Sequence, residues 1–236
     1  MRFRNYTTYI VASLFFACSP TYTLQSHDGE AIGIQDRVDS AVSAIIAPYQ
    51  EGIKDQMSEV LTYTKSDLEK GRPQSTIGNF VTDLCLNYSD AHICVMNNGG
   101  LRTTINKGEI TRGKLYELMP FENELVVLEL NKNDYIDLLN YIVRRGGEPF
   151  SGITITIDED RKIINNSWPV EFKSGENVKV LTSDYLANGG DAMSFFQKKD
   201  QYKVGIKLRD AIIDYCSKTD TINVTLDDRI TILKNE

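Results

Sequence analysis

The sequence predicts an α/β fold of the α+β kind, in which helices cover a mixed β-sheet core. Three observations lead to this prediction. Strand-like and helix-like segments interleave along the chain, and two glycine-rich turns directly follow strands. The composition, 41% hydrophobic and 25% charged, is that of a globular domain. These features exclude a disordered or fibrous chain and a protein with several membrane spans.

The elements of the first half follow from the spacing of apolar residues. A helical stripe opens near Gln35 and is expected to stop around Pro48. An extended segment is predicted at residues 57–65, and a helix over residues 76–88. A short apolar strand at residues 92–96 then ends directly in Asn-Asn-Gly-Gly, a run that tolerates left-handed backbone and close approach by a ligand.

The second half continues the alternation. A short helix at residues 111–119 has Thr111 as its expected cap. A strand at residues 124–130 follows, and then an amphipathic helix at residues 132–145 that Gly146-Gly147 closes. The remaining predicted elements are strands at 153–157, 162–166 and 178–183, a helix at 206–217, and a last strand at 230–233.

The N-terminus predicts export. Residues 1–17 combine a basic start with a short uncharged apolar stretch, which is typical of a secretory signal peptide. Ala17-Cys18 resembles a lipoprotein cleavage site, so Cys18 is expected to be the lipidated mature N-terminus; the alternative is plain secretion with a free Cys18. Residues 18–34 are predicted to be a tether and residues 35–236 the folded domain. The expected location is the bacterial cell envelope, as a periplasmic protein or an outer-membrane lipoprotein.

The charge pattern limits the possible ligands. The formal net charge is -7, so a surface for a nucleic acid polymer, which needs a basic face, is not expected. A small anion is still allowed, because the charged residues between Leu101 and Leu115 sum locally to a positive charge.

The sequence offers little for catalysis. A dinuclear metallophosphatase needs about six ligands, many of them histidines, and this chain has two histidines. His92 is therefore interpreted as an ordinary strand-edge residue, and no metal site or catalytic residue is predicted in this chain. Cys85 and Cys94 lie among apolar residues and are interpreted as small buried hydrophobes, with a Cys85–Cys94 bridge as the alternative.

The predicted turns do contain groups suited to binding. Asn97, Gly100 and Arg102 place an amide, exposed backbone and a guanidinium within six residues. Phe121 lies in a turn between a helix and a strand, where it is either a core residue or a stacking platform. The second glycine-rich turn, residues 185–191, begins with a tyrosine and ends with an aspartate. Two aromatic rings, an amide, an arginine and an acid are sufficient to hold a nucleoside.

Several ordered motifs resemble the C-terminal, substrate-binding domain of the 5'-nucleotidase family, which also includes UDP-sugar hydrolases and 2',3'-cyclic-nucleotide phosphodiesterases. The motifs that carry the resemblance are Ile77-Gly78-Asn79-Phe80-Val81-Thr82-Asp83, Asn97-Asn98-Gly99-Gly100-Leu101-Arg102, Gly108-Glu109-Ile110-Thr111, Leu118-Met119-Pro120-Phe121 and Tyr185-Leu186-Ala187-Asn188-Gly189-Gly190-Asp191. The last of these is the most specific.

The resemblance implies a role for each matching residue. Phe121 and Tyr185, which stands where the family usually has phenylalanine, would sandwich the base. Asn97 would contact the base, Gly100 would belong to the same loop, Arg102 would be the family's arginine, and Asp191 would bind the ribose. A further phosphate-facing arginine of the family falls on Pro73, so Arg72, one residue earlier, is the candidate left in that segment.

The resemblance also implies what the chain does. Enzymes of the family carry an N-terminal metallophosphatase domain with both metals and the catalytic histidine, and this chain is expected to lack it. We therefore expect the nucleotide- or nucleoside-binding domain of a split hydrolase, inactive alone, with divalent metals only in a separate metallophosphatase chain. The alternatives are a non-catalytic scavenging receptor for nucleotides or nucleosides, and a structural remnant.

Overall fold

The computed structural model describes residues 40–170 and 176–234. The chain divides into two compact units, residues 1–44 and 45–236. The predicted signal peptide, the lipidation site at Cys18, the tether and the expected start of the domain at residue 35 lie outside the described residues. No helix in the described ranges is long and apolar enough to cross a membrane.

Secondary structure alternates as predicted. The helices are α1 (Ser40–Ser58), α2 (Thr76–Leu86), α3 (Arg112–Leu118), α4 (Lys132–Arg144), α5 (Asp184–Ala187) and α6 (Leu208–Ser217). The strands are β1 (Val60–Thr64), β2 (Ile93–Val95), β3 (Gly108–Thr111), β4 (Glu124–Leu130), β5 (Phe150–Ser151), β6 (Ile155–Ile157), β7 (Ile163–Asn166), β8 (Val178–Ser183), β9 (Tyr202–Lys207), β10 (Thr221–Ile222) and β11 (Ile230–Ile232).

The central element is a five-stranded mixed sheet in the order β5-β2-β8-β4-β9. Strands β2 and β8 run parallel, whereas β4 runs antiparallel to both β8 and β9. Two three-stranded sheets, β10-β1-β3 and β11-β6-β7, complete the fold. The prediction of a mixed sheet covered by helices is confirmed, although the strands form three sheets.

The core lies on both faces of the five-stranded sheet. Because side chains alternate along a strand, β4 sends Leu125 and Val127 into one hydrophobic cluster and Val126 and Leu128 into the other. Helices α2, α3 and α6 contribute to the first cluster, and α4 contributes to the second. With both faces buried, this sheet provides a rigid frame for the loops at its edges.

Several element predictions agree closely with the structure. Helix α2 begins after Ser75, whose hydroxyl accepts the hydrogen bond from the Gly78 N–H, and α3 begins after the predicted cap Thr111. Strands β4 and β8 have the predicted bounds. The acidic run at residues 158–160 connects β6 to β7, which pair as an antiparallel hairpin.

One predicted boundary is wrong and another is shifted by two residues. Helix α1 does not stop near Pro48 but continues through it to Ser58. An interior proline removes one backbone hydrogen bond and its ring crowds the preceding turn, but the residues that follow Pro48 include good helix formers, which favour continuation of the helix. The last long helix begins at Leu208 rather than at residue 206, because the preceding residues form edge strand β9 against β4.

The cysteines are buried thiols. Cys85, Cys94 and Cys216 are all free and fully buried. The thiols of Cys85 and Cys94 are hydrogen-bonded neighbours. Burial and this hydrogen bond raise the pKa of Cys94 above its ordinary value. Burial raises the pKa of Cys216 to about 12.

Candidate functional site

Strand directions bring the predicted binding segments to one edge of the five-stranded sheet. The Asn97 loop follows β2 and the Tyr185 turn follows β8, and these two strands are parallel. Strand β4 is antiparallel, so Phe121, which precedes it, lies at the same edge; Leu125 pairs with Ser183 there. Segments that are distant in sequence therefore converge at one place.

A cavity of about 350 Å³ occupies this edge. Its lining includes six of the seven residues predicted to bind substrate: Asn97, Gly100, Arg102, Phe121, Tyr185 and Asp191. Five further residues complete the lining: Gly99, Met119, Asn123, Ser183 and Leu208. The volume lies in the range of small-molecule sites.

Both aromatic rings of the predicted sandwich lie at the surface of the cavity rather than in the core. Phe121 is 42% exposed and Tyr185 is 47% exposed. The Arg102 guanidinium lies 5.9 Å from the centre of the Phe121 ring, at cation–π distance. The Tyr185 ring packs against Gly190, where a Cβ would come within 2.5 Å of the ring. Only glycine fits at this position without displacing the ring.

Asp191 is held by the first residue of its own turn and by two other segments. Its carboxylate accepts hydrogen bonds from the Asn97 side-chain amide at 2.5 Å and from the Tyr185 hydroxyl at 3.2 Å. Its backbone carbonyl accepts a hydrogen bond from the Tyr141 hydroxyl at 2.8 Å. Its backbone is left-handed (φ 51°, ψ 29°), a conformation that non-glycine residues rarely adopt. These contacts fix the carboxylate at the wall of the cavity.

Tyr141 is one of the residues that the sequence did not indicate. It projects from α4, and it is 2% exposed. Burial raises the pKa of its hydroxyl above the ordinary value, so this group remains a neutral hydrogen-bond donor to the Asp191 carbonyl.

Glu148 anchors the Asn97 loop, and the sequence did not indicate this residue either. Its side chain is fully buried, and Oε2 accepts a hydrogen bond from the backbone N–H of Asn98 at 2.7 Å. Oε1 accepts from Arg72 and from Arg145, each at 3.1 Å. Two guanidinium groups thus compensate one buried carboxylate, which fixes the residue next to Asn97.

Arg72 is the one predicted binding residue that the structure does not bring to the cavity. Besides Glu148, its guanidinium donates to the backbone carbonyls of Arg145 and Gly147. It lines a different cavity, beside Arg145 and Arg161. These contacts give Arg72 a place in the support of the Asn97 loop, at a distance from the aromatic rings.

A charged cluster fixes the turn that carries Phe121. Glu122 pairs with Lys207 and with Arg209, and the Arg209 side chain is 7% exposed. Hydrogen bonds from Lys207 and Arg209 lower the pKa of Glu122 to about 2. Arg209 also stacks over the Tyr116 ring, at 4.3 Å from its centre. Lys207 of β9 and Arg209 of α6, which are distant from this turn in sequence, therefore hold it in place.

Asn123 is a polar lining residue that sequence reasoning overlooked. Its amide nitrogen donates to Asp184 at 3.0 Å, so its amide oxygen remains available as an acceptor. Its position, two residues after Phe121 at the start of β4, was the only signal that could have indicated it.

The described residues do not fit a catalytic metal centre. Within residues 40–170 and 176–234, no group of three or more His, Cys, Asp or Glu side chains could hold a metal ion. His92 lies at a strand edge, where its Nδ1 accepts a hydrogen bond from the backbone N–H of Lys179 at 3.0 Å, and Lys179 pairs with Asp90.

The fold and the cavity define a domain with a candidate ligand site, lined by aromatic, amide, guanidinium and carboxylate groups at one edge of a mixed sheet. The family model for the 5'-nucleotidase C-terminal domain matches residues 56–198. The chain therefore belongs to the 5'-nucleotidase C-terminal domain family.

Individual relatives agree with this assignment. The chain is 24% identical over 222 residues to an apyrase from Tabanus yao, a match that covers 79% of this chain and 40% of the relative. It is 28% identical over 198 residues to a 5'-nucleotidase from Vibrio cholerae, covering 79% of this chain and 36% of the relative. The structure superposes on a 5'-nucleotidase precursor from Thermus thermophilus with a TM-score of 0.69 and 26% identity, over 82% of this chain and 43% of the other. The chain thus spans less than half the length of these relatives.

Proposed function

We propose that this protein is a nucleotide- or nucleoside-binding domain that presents its ligand to a metallophosphatase on a separate chain. The observation that carries the proposal is the cavity that unites Phe121, Tyr185, Asp191, Asn97 and Arg102. None of these groups is unusual alone, but together they match the parts of one ligand.

The chemistry of the lining supports a nucleoside or nucleotide. Two exposed rings offer stacking surfaces for a flat heterocycle. The Asp191 carboxylate accepts hydrogen bonds, which suits sugar hydroxyls. Arg102 is exposed and lies beside the Phe121 ring, where its guanidinium can neutralise a phosphate.

The same lining supports a role in ligand binding, with hydrolysis carried out by another chain. The cavity holds no nucleophile with a base, and the described residues offer no metal cluster. Phosphate-ester hydrolysis by bound metals would need ligands from outside the described residues, and in this proposal a second chain supplies them. The matched relatives are more than twice as long as the segment that resembles this chain, which is consistent with an additional catalytic domain in those proteins.

The location is part of the proposal. Export through residues 1–17 and lipidation at Cys18 would anchor the domain in the bacterial cell envelope. Metabolic labelling of the full chain with a fatty acid tests the anchor: the label should be incorporated and should be lost in Cys18→Ser.

Calorimetry with adenosine and AMP tests the binding. Loss of one stacking ring should weaken binding by about 1–3 kcal/mol, or roughly fivefold to more than 100-fold in Kd, in both Phe121→Ala and Tyr185→Ala. Tyr63→Ala is the matched control, because Tyr63 is 49% exposed but lies on β1, outside the central sheet. Unchanged affinity in both ring variants would refute the aromatic site.

Phosphate release from AMP tests whether hydrolysis requires a separate metallophosphatase chain. We expect none from the chain alone with divalent metal, and release when a metallophosphatase chain of the same source is added. The absence of a metal cluster among the described residues also suits a second candidate, a scavenging receptor. That function would be favoured if the chain binds nucleosides but never stimulates a metallophosphatase.

A further inference from the structure

The hydroxyl of Tyr185 is bonded to the acid of the same cavity. It donates to Asp191 Oδ1 at 3.2 Å, and it accepts a hydrogen bond from the backbone N–H of Asp191 at 3.3 Å. One side-chain oxygen therefore contacts both the carboxylate and the backbone of a residue six positions later. A phenylalanine ring could stack equally well but could form neither bond.

These bonds act on a residue that needs support. Asp191 adopts left-handed backbone (φ 51°) and Ala192 follows it with φ 64°, and such backbone persists in non-glycine residues only where its surroundings hold it. The Tyr141 hydroxyl holds the Asp191 carbonyl, so the Tyr185 hydroxyl is the partner of the remaining backbone group, the N–H.

The carboxylate itself keeps capacity for a ligand. Oδ1 receives the Tyr185 hydroxyl and Oδ2 receives the Asn97 amide. A carboxylate oxygen has about two lone-pair sites, so one acceptor site is left on each oxygen. Two adjacent acceptors in a fixed orientation match two adjacent hydroxyl donors, which is the arrangement of a vicinal diol.

We propose that Tyr185 is a positioning residue whose hydroxyl orients the Asp191 carboxylate for a vicinal diol, so that ring stacking and sugar recognition depend on each other. The inference rests on the proposed nucleoside site and deepens it. The ring contacts the base, and the hydroxyl acts on the sugar through Asp191.

The test combines one variant with two ligands. Tyr185→Phe keeps the ring and removes the hydroxyl, and 2',3'-dideoxyadenosine keeps the base and removes both sugar hydroxyls. We expect Tyr185→Phe to weaken adenosine binding about fivefold and to change binding of the dideoxynucleoside by less than about twofold. Tyr63→Phe is the control and should change neither.

The outcomes separate this inference from the proposed function. Equal losses for both ligands, or tighter adenosine binding from release of a competing hydroxyl, would overturn the positioning role while leaving the nucleoside site intact. If the unsubstituted protein binds neither ligand, both proposals fall. A matched melting temperature for Tyr185→Phe and the unsubstituted protein would exclude general unfolding as the cause of the expected loss.

Discussion

Gly100 and Gly99 provide a matched pair of substitutions in the loop of Asn97. An added Cβ at Gly100 would meet the Asn97 side-chain oxygen at 2.7 Å and its backbone oxygen at 3.3 Å. At Gly99 the nearest atom is the Asn97 amide nitrogen at 3.5 Å, an ordinary van der Waals contact. Neither position has the left-handed backbone that would penalise alanine by itself. The two variants therefore differ mainly in what they do to Asn97.

The expected magnitude follows from the contact that must be released. The Asn97 amide can leave the new methyl group only by loosening its 2.5 Å hydrogen bond to Asp191. A hydrogen bond to a charged group contributes about 1.5–3 kcal/mol, and restoring the site on binding would cost about the same. Taking the lower value, Gly100→Ala should weaken adenosine binding about tenfold, whereas Gly99→Ala should stay within about twofold.

Calorimetry on both variants, with melting temperatures as a check on folding, measures this difference. Binding by Gly100→Ala at the original affinity would refute the idea that the Asn97–Asp191 bond shapes the site. An equal loss in Gly99→Ala would mean that any side chain in this loop obstructs the ligand, and the specific role of Asn97 would fall.

Two further predictions concern the supports of the site. Glu148→Ala should lower the free energy of unfolding by about 3 kcal/mol, because it leaves the partly buried Asn98 N–H without its acceptor and two guanidinium groups without their carboxylate. Glu117→Ala, at an exposed surface ion pair, should change the free energy of unfolding by less than about 1 kcal/mol. Similar losses for the two variants in denaturant unfolding would contradict this prediction. Lys207 and Arg209 lower the Glu122 pKa to about 2 from an ordinary 4.5, so the stabilisation from these ion pairs is present above about pH 4.5 and is lost as the pH falls toward 2. The stability difference between the unsubstituted protein and Glu122→Gln should therefore shrink over that window, and a difference independent of pH would show that the ion pairs do not titrate as described.

The sequence predicted best those elements that bury a full face. Strands β4 and β8 are rich in apolar residues, and their burial on both faces of the central sheet leaves little freedom in their bounds. Strand β9 escaped prediction because it lies at the edge of the sheet and has no fully buried residue. Local periodicity carries no signal for such a strand, since the hydrogen bonds to β4 that define it are long-range.

The same distinction explains the candidate site. Residues in recognisable turns, such as Asn97 and Asp191, could be proposed because each directly follows or lies near a strand end. Glu148 and Tyr141 could not, because each acts through one contact to a residue about fifty positions away in sequence. Arg72 shows the converse: its place next to a family motif suggested a ligand contact, while its guanidinium is engaged by Glu148 and two backbone carbonyls.

The packing of the loops on the central sheet is expected to make the site rigid. Asp191 lies in the turn after β8, where it bonds to Tyr185, and it is joined to the loop after β2 through Asn97 and to helix α4 through Tyr141. A residue tied to three elements that pack on one rigid sheet cannot move without disturbing all of them. The cavity is therefore expected to be preformed, so that binding loses little free energy to the ordering of loops. A partner chain that acts on the bound ligand would then have to come to a fixed site, whose exposed lining residues include Arg102 and Phe121.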